Sequence, residues 1–271
     1  ARFAQVPILI MRAKKSFGQN WLRDDYVLDK ITESADIDNK DTVLEVGPGL
    51  GTLTQKLVDT GCNVIAVEAD QDLIGSLKNK FHNFANFKLI SGDIMRFNLA
   101  TMPAGYKVVA NIPYYLTSNL LRNLLESANA PLLMVLLIQK EVAERILAGP
   151  GQMSVLAFSV QYYAKPEYVM EVKKELFDPI PKVDSVVIKI VTHQSPLFEA
   201  DPQKLFRIVK AGFGEKRKKL RNSLSGGLGV DTSLVEKLLK DSKISSTARA
   251  QELTMNQWRD LYISATKAGI I

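Results

Sequence analysis

Cysteine is almost missing from this chain. Cys62 is the single one in 271 residues, so no disulfide can close within it. Histidine is nearly as scarce, and His82 and His193 stand far apart. A zinc centre or a cysteine–histidine nucleophile pair therefore has almost no raw material, and no metal site is expected. Cys62 itself reads as a small apolar residue leading into a strand. Long hydrophobic runs are lacking too. The longest, Leu132 to Ile138, falls well short of the roughly 18 residues that cross a bilayer and reads as a buried strand. No membrane partner is expected, and the expected location is the cytoplasm. Acidic residues are absent ahead of Asp24, whereas Arg2, Arg12, Lys14, Lys15 and Arg23 occupy that stretch. Such a start is compatible with an organellar transit remnant, or with Met11 as the natural beginning and residues 1–10 as an extension or tag, the possible extension reaching at most residue 13.

What is present is ordinary in bulk. Hydrophobic residues make up 46% and charged residues 24%, enough for one large domain or a large one with a small one. The charge is unevenly placed. Residues 1–194 hold 21 Lys/Arg and 21 Asp/Glu, whereas residues 195–271 hold 14 and 8, so the net charge of +6 lies wholly in the last quarter. A neutral module followed by a basic one suggests a polyanion-binding attachment.

Periodicity agrees with that division. Thr42 to Val46, Val64 to Val67, Phe87 to Ile90, Lys107 to Ala110 and Leu132 to Ile138 read as buried strands. Helical spacing recurs between them at 52–60 and 71–81 and beyond at 118–126 and 140–147. Alternating strands and helices predict an α/β fold with a mostly parallel sheet covered on both faces. Glu167 to Val172 and Ser185 to Val191, around a proline-punctuated loop, predict an antiparallel pair at its end. Residues 193–202 read as a linker. After it the spacing predicts helices over 203–213, 217–223, 232–240 and 256–267, a small all-α domain spanning 195–271.

Chemistry concentrates at strand ends. Glu45-Val-Gly47-Pro-Gly49-Leu-Gly51 joins the first of these strands to a helix, and glycines there permit a tight turn and close approach to a ligand. Glu68 ends the second strand, where an acid can accept from both ribose hydroxyls. The spacing is not that of a dinucleotide loop, and Pro48 removes an amide that would cradle a pyrophosphate. A phosphate-free adenosine ligand fits better, and S-adenosylmethionine is one. Asp93, after the third strand, can accept from the adenine amino group. The fold class is thus a Rossmann-like S-adenosylmethionine-dependent methyltransferase domain over 1–194.

The fourth strand runs into Asn111-Ile112-Pro113-Tyr114. The exocyclic nitrogen of adenine is a poor nucleophile because its lone pair is delocalised into the ring. Two acceptors, the Asn111 side-chain oxygen and the Ile112 carbonyl held by Pro113, can draw it toward tetrahedral geometry. Tyr114 offers a face for the base, and stacking of that kind is worth about 1–3 kcal/mol. A base within a duplex must be flipped out to reach such a pocket.

At these residues the chain resembles the ribosomal RNA adenine N6,N6-dimethyltransferases, and closely their bacterial small-subunit type. The resemblance runs from Lys14 to the C-terminus. It rests on Lys15-Ser-Phe-Gly-Gln-Asn-Trp-Leu22, on the glycine loop, Glu68, Asp93 and the Asn111 tetrad, and on Gln139-Lys-Glu-Val-Ala-Glu-Arg145. Phe177-x-Pro-x-Pro-Lys-Val-Asp-Ser185 and Phe213-x-x-x-Arg217-Lys-Lys-Leu-Arg-Asn-Ser223 complete it. It implies that Asn20 and Leu22 close over the cofactor, that Gly47, with Gly49 and Gly51, lies along its methionine part, and that Glu68 and Asp93 take its ribose and adenine. Asn111 would meet both cofactor and target, and Phe177 would stack on the flipped base opposite Tyr114. Lys216, Arg217, Lys218, Lys219 and Arg221 would meet RNA phosphates, and the protein would act as a monomer on the small ribosomal subunit. The chain departs from the pattern at Trp21, where phenylalanine is usual, and at Gln152, where arginine is usual. Two alternatives share these motifs: a large-subunit adenine methyltransferase of the macrolide-resistance type, and a non-catalytic assembly factor. The Phe177 and Arg217 motifs favour the small-subunit type, and the intact tetrad favours catalysis.

Overall fold

The computed structural model describes Lys14 and residues 18–215 and 217–271. In chain order its elements are β1 (Trp21–Leu22), α1 (Asp25–Ser34), β2 (Thr42–Val46), α2 (Thr52–Asp59), β3 (Asn63–Glu68), α3 (Gln71–Phe81), β4 (Phe87–Ser91), β5 (Lys107–Asn111) and α4 (Thr117–Leu125). Then follow β6 (Leu133–Gln139), α5 (Lys140–Leu147), α6 (Val155–Tyr163), β7 (Ala164–Val172), β8 (Phe177–Asp178), β9 (Ser185–Thr192), α7 (Pro202–Phe213), α8 (Leu220–Leu228), α9 (Thr232–Asp241) and α10 (Met255–Lys267).

Seven strands form one sheet in the order β4-β3-β2-β5-β6-β9-β7. The strands from β4 to β6 are parallel, and β9 pairs antiparallel with both β6 and β7. The antiparallel end follows from the chemistry of the connections. A parallel neighbour needs a long crossover, whereas β7 and β9 are joined on one side of the sheet. The chain runs outward from β2 through β3 to β4, then returns to β5 and β6 on the other side. The crevice between β2 and β5 is therefore the topological switch point, where open sheets of this kind bind ligands. The strands of this sheet are largely apolar because helices cover both faces. One buried cluster includes Val108, Leu120, Leu136 and Ile188, and a second includes Val43, Leu57, Leu77 and Val109.

Helices begin where the sequence supplies caps. Asp24 accepts from the Val27 amide to start α1, and Asp70 accepts from the Asp72 amide to start α3. Gly51 precedes α2 with φ of 71°, and a Cβ there would stand 2.6 Å from the Phe81 ring. Left-handed strain and overlap add, so Gly51→Ala is expected to cost about 2–3 kcal/mol of stability. Urea unfolding checks this; an unshifted midpoint would show that the Phe81 ring gives way freely.

The four C-terminal helices build a third cluster around Leu205, Leu224, Leu238 and Trp258. Phe158 and Tyr162 of α6 belong to it, and the Tyr162 hydroxyl donates to the Phe198 carbonyl. The change in composition at residue 194 is thus crossed by packing. Neither α1 nor α6 was foreseen from spacing. The helix expected over 217–223 instead begins at Leu220 and continues through Gly226 and Gly227. Local preference would stop it there. The tertiary reason for the glycine is close approach: a Cβ on Gly227 would lie 2.7 Å from the Ala211 Cβ of α7.

Candidate active site

The residues following β2, β3, β4 and β5 converge on one cavity of about 310 Å³. Gly47 and Gly49 line it from the first loop, Glu68 and Ala69 from the second, Gly92 and Asp93 from the third, and Asn111 to Leu116 from the fourth. Gly18, Gln19, Asn20 and Trp21 form the remaining wall.

That wall is a strap tied down at several points. Gln19 donates through Nε2 to Asp70 at 2.8 Å, and the Lys14 ammonium lies 2.6 Å from the same carboxylate. The Thr52 hydroxyl donates to the Leu22 carbonyl at 3.0 Å. Trp21 and Leu22 pair with Asp178 and Phe177 in a two-stranded ribbon. The Trp21 indole covers Gly49, where a Cβ would stand 3.0 Å from the ring and φ is 59°. Glycine is required there on both counts. The indole Nε1 is buried with no hydrogen-bond partner among the described residues.

Glu68 sits at the floor, 5% exposed. Its two oxygens accept from the Gly49 amide at 3.2 Å and the Asp70 amide at 2.8 Å. Burial pushes its carboxyl above the ordinary range, opposed by those amides. Carboxylate oxygens accept more than one hydrogen bond each, so capacity remains for a diol. The Gly49 amide, a natural phosphate donor, is instead taken by a carboxylate. Among the described residues the charged ones lining the cavity are Glu68 and Asp93, with no lysine or arginine, a lining that disfavours phosphate and suits a cationic ligand. Asp93 is exposed and spends Oδ1 on the Met95 amide at 2.9 Å. S-adenosylmethionine, with a ribose, an adenine, a sulfonium and no phosphate, fits this donor set.

Beneath the loop, Glu45 is fully buried and accepts from the Thr54 hydroxyl at 2.7 Å. Burial drives its pKa up to about 8, with Glu68 adding repulsion and Lys80 opposing. A carboxyl whose folded pKa exceeds its unfolded value favours the folded state when protonated. That advantage is complete below about pH 4.5 and is lost as pH rises to about 8. Glu45→Gln, which cannot ionise, is therefore expected to match the parent near pH 4.5 and to gain on it by an order of 1–3 kcal/mol by pH 8. Melting curves across that range test this; a difference independent of pH would mean that the folded carboxyl titrates no differently from the unfolded one.

The Asn111 side chain has a defined orientation. Its Nδ2 donates to the Asn20 carbonyl at 3.1 Å, and Oδ1 accepts no hydrogen bond among the described residues. The Ile112 amide donates to the Leu137 carbonyl at 3.2 Å, and its own carbonyl receives no hydrogen bond among the described residues. Both residues line the cavity. Pro113 accepts from the Leu116 amide at 2.9 Å, closing a short turn over Tyr114–Leu116. The Tyr114 hydroxyl lies 2.8 Å from the Ser185 hydroxyl, and burial pushes its phenol pKa up.

Several site residues expected from the sequence stand elsewhere. Leu22 and Phe177 do not line the cavity. They are ladder partners, 2% and 3% exposed, and pack in the second apolar cluster. Apolar burial holds Phe177 in the core, so in this structure it presents no open face to a base. Gly51 is absent from the lining as well and serves the contact with Phe81. Of the basic segment, Arg217, Lys218 and Lys219 are exposed. Arg221 is half-buried, its guanidinium meets Glu236 at 2.5 Å, and its Nε is buried without a partner among the described residues. Lys216, together with residues 1–13 and the 15–17 part of the N-terminal motif, lies outside the described residues. Conversely, Gln19, Trp21 and Tyr115 line the cavity and had been given no role. Only the unusual tryptophan at 21 and the doubled tyrosine marked them in the sequence.

Comparison with known proteins gives a consistent result. The family model described as ribosomal RNA adenine dimethylase matches residues 10–267. A ribosomal RNA small subunit methyltransferase A from Dehalococcoides mccartyi is 42% identical over 255 residues, covering 93% of this chain and 88% of that protein. One of the same name from Rippkaea orientalis is 42% identical over 259 residues, covering 90% and 94%. Among solved structures, a dimethyladenosine transferase from Plasmodium falciparum superposes with a TM-score of 0.77 at 27% identity, covering 92% of this chain and 98% of that one. The 23S rRNA methyltransferase ErmE superposes with 0.73 at 27% identity, covering 90% and 99%.

Proposed function

Because the chain belongs to the ribosomal RNA adenine dimethylase family, we propose that it methylates N6 of two adjacent adenosines near the 3′ end of small-subunit ribosomal RNA, using S-adenosylmethionine and leaving N6,N6-dimethyladenosine. The observation that carries this reading is the Asn111 amide, whose free Oδ1 lies beside the Ile112 carbonyl at the edge of a phosphate-averse cavity. The higher identity to small-subunit enzymes, 42% against 27% for the large-subunit one, favours the small-subunit target.

S-adenosylmethionine supplies an electrophilic methyl on a sulfonium. The protein supplies position. Glu68 holds the ribose, Asp93 the adenine through Oδ2, and the glycine loop the amino-acid part. The strap from Gly18 to Trp21 excludes water above it. Asn111 Oδ1 and the Ile112 carbonyl accept the two amino hydrogens of the target adenine and free its lone pair. Tyr114 supports the base from the side. No residue with a pKa near neutrality is needed as a base, because the nitrogen loses its proton once it has become cationic. Most of the acceleration is then orientation of donor and acceptor in line. The partner is the small subunit, engaged by a monomer through the exposed basic segment ahead of α8, and the setting is the cytoplasm.

The test is transfer of labelled methyl groups to unmethylated small subunits, large subunits and naked ribosomal RNA, followed by nucleoside analysis. Dimethyladenosine on small subunits alone supports the reading. Label on large-subunit RNA replaces it with the large-subunit reaction, and bound cofactor without label on any RNA replaces it with an assembly role.

A further inference from the structure

Residues 179–184 leave β8 at Asp178 and enter β9 at Ser185. Both ends meet a wall of the cavity. Asp178 is the ladder partner of Trp21, which lines it, and the Ser185 hydroxyl is 2.8 Å from that of Tyr114, which also lines it. The loop is held further at Asp184, whose carbonyl accepts from the Lys140 amide at 3.0 Å and whose Oδ1 accepts from the Lys174 amide at 3.0 Å. A loop so fixed nevertheless holds two aliphatic side chains in water: Ile180 is 62% exposed and Val183 43% exposed. Next to Val183, a hollow of about 450 Å³ receives Lys140, Lys174 and Lys182. Lys140 is paired with Glu171, and Lys173 with Glu171 and Asp184, whereas no ion pair engages Lys174 or Lys182 among the described residues. The acids at this hollow are Glu141, Glu144 and Asp184, and Asp184 is already satisfied by Lys173 and the Lys174 amide.

We propose that this loop is the seat of the nucleotide next to the target adenosine, with Ile180 and Val183 against the face of its base and Lys174 and Lys182 toward its phosphate. The proposal rests on the RNA reading of the cavity. Apolar side chains inserted between base steps are a recurrent way for proteins to hold bases unstacked. The choice of aliphatic groups has a specific consequence here. The RNA strand has a polarity, so a seat on one side of the target holds the other adenosine in only one of the two rounds, and it must accept that adenosine dimethylated whenever it was modified first. Hydrogen bonding to the base edge would fail once N6 carries two methyl groups. Contact with the base face is indifferent to that change, and every base offers a face.

The experiment compares the parent with Ile180→Ser and Ile180→Leu on unmethylated small subunits, sequencing the modified pair by fragment mass spectrometry and measuring cofactor affinity alongside. Ile180 is exposed, so folding is not at stake. Ile180→Ser is expected to lower kcat/KM for the subunit about tenfold, to leave cofactor Kd unchanged, and to accumulate pairs with a single adenosine dimethylated; Ile180→Leu restores completion. Lys182→Gln should weaken subunit binding and reduce its salt dependence by about one phosphate contact. Completion of both adenosines at the parent rate by Ile180→Ser overturns the proposal. So does a uniform loss without half-modified pairs, and so does a parallel loss of cofactor affinity, which would make the loop part of the cofactor closure. A parent protein that leaves all RNA unmethylated overturns the RNA reading itself, and this proposal with it.

Discussion

Asn111→Ala is expected to lower methyl transfer by at least about 10²–10³-fold in kcat, the usual cost of removing one preorganised polar partner from a reacting group. The substitution deletes Oδ1, one of the two acceptors proposed for the target amino hydrogens, and the Nδ2 donor that reaches the Asn20 carbonyl. Asn111 ends a strand whose other residues carry the packing, with Val108, Val109 and Ala110 fully buried, so the fold should persist. Single-turnover label transfer, cofactor titration and circular dichroism together separate these effects. Asn111→Asp sharpens the result: it keeps an acceptor at this position but loses the donor to Asn20. If the strap contact matters as much as the acceptor, the two variants fail alike; if the acceptor dominates, the aspartate variant retains more. Activity of the alanine variant within threefold of the parent would remove Asn111 from the chemistry.

The second large effect is expected from reversing Arg217, Lys218 and Lys219 to glutamate. Binding to small subunits should fall by about 10²-fold or more near physiological salt. The slope of log K against log salt should shrink by about two to three, since each phosphate contact contributes about 0.7–0.9. The fold should tolerate the change. The three residues are exposed and lie immediately ahead of or at the start of α8, where acidic side chains interact well with the helix dipole. The cost is the Lys218 pair with Glu215, an exposed i,i+3 contact of small worth. Arg221 is left out of the design because Glu236 already holds it. Cofactor affinity should not move. Unaltered subunit binding would send the search for the RNA face elsewhere, and a lost cofactor affinity would mean that this segment communicates with the cavity.

Both predictions draw on residues legible in the sequence, Asn111 from its place at a strand end and the basic segment from the family resemblance, and for the strand-end residues the reason is local. A glycine triplet after an apolar run, an acid at the end of the next strand and Asn-Ile-Pro-Tyr at the end of another all lie where an α/β sheet opens to ligand. The order of elements forces them there. Gly47, Gly49, Glu68, Asp93 and Asn111 accordingly line one cavity, although the strands that carry them are far apart in the chain. The excess of positive charge in the last quarter was visible for the same reason: composition needs no coordinates.

Other features depended on partners that no local pattern names. Phe177 and Leu22 look like binding residues by position, but each is the other's ladder partner and both are buried. Gly51 looks like a third ligand contact, yet the ring of Phe81, thirty residues on in sequence, is what forbids a side chain there. Arg221 differs from Arg217 and Lys219 in that α9 brings Glu236 against it. Gly226 and Gly227 should end a helix, and the approach of α7 keeps it going.

The sequence by itself determined the class of fold, the glycine loop and the Asn111 tetrad at strand ends, and the basic C-terminal quarter, because strand–helix alternation and short motifs encode local geometry directly. Tertiary structure alone decided which of those residues face the cavity and which are spent on packing, what orients the Asn111 amide, and where a strap from the N-terminal side closes the site. Those are properties of contacts between distant segments, and burial and pairing exist only once the segments have met.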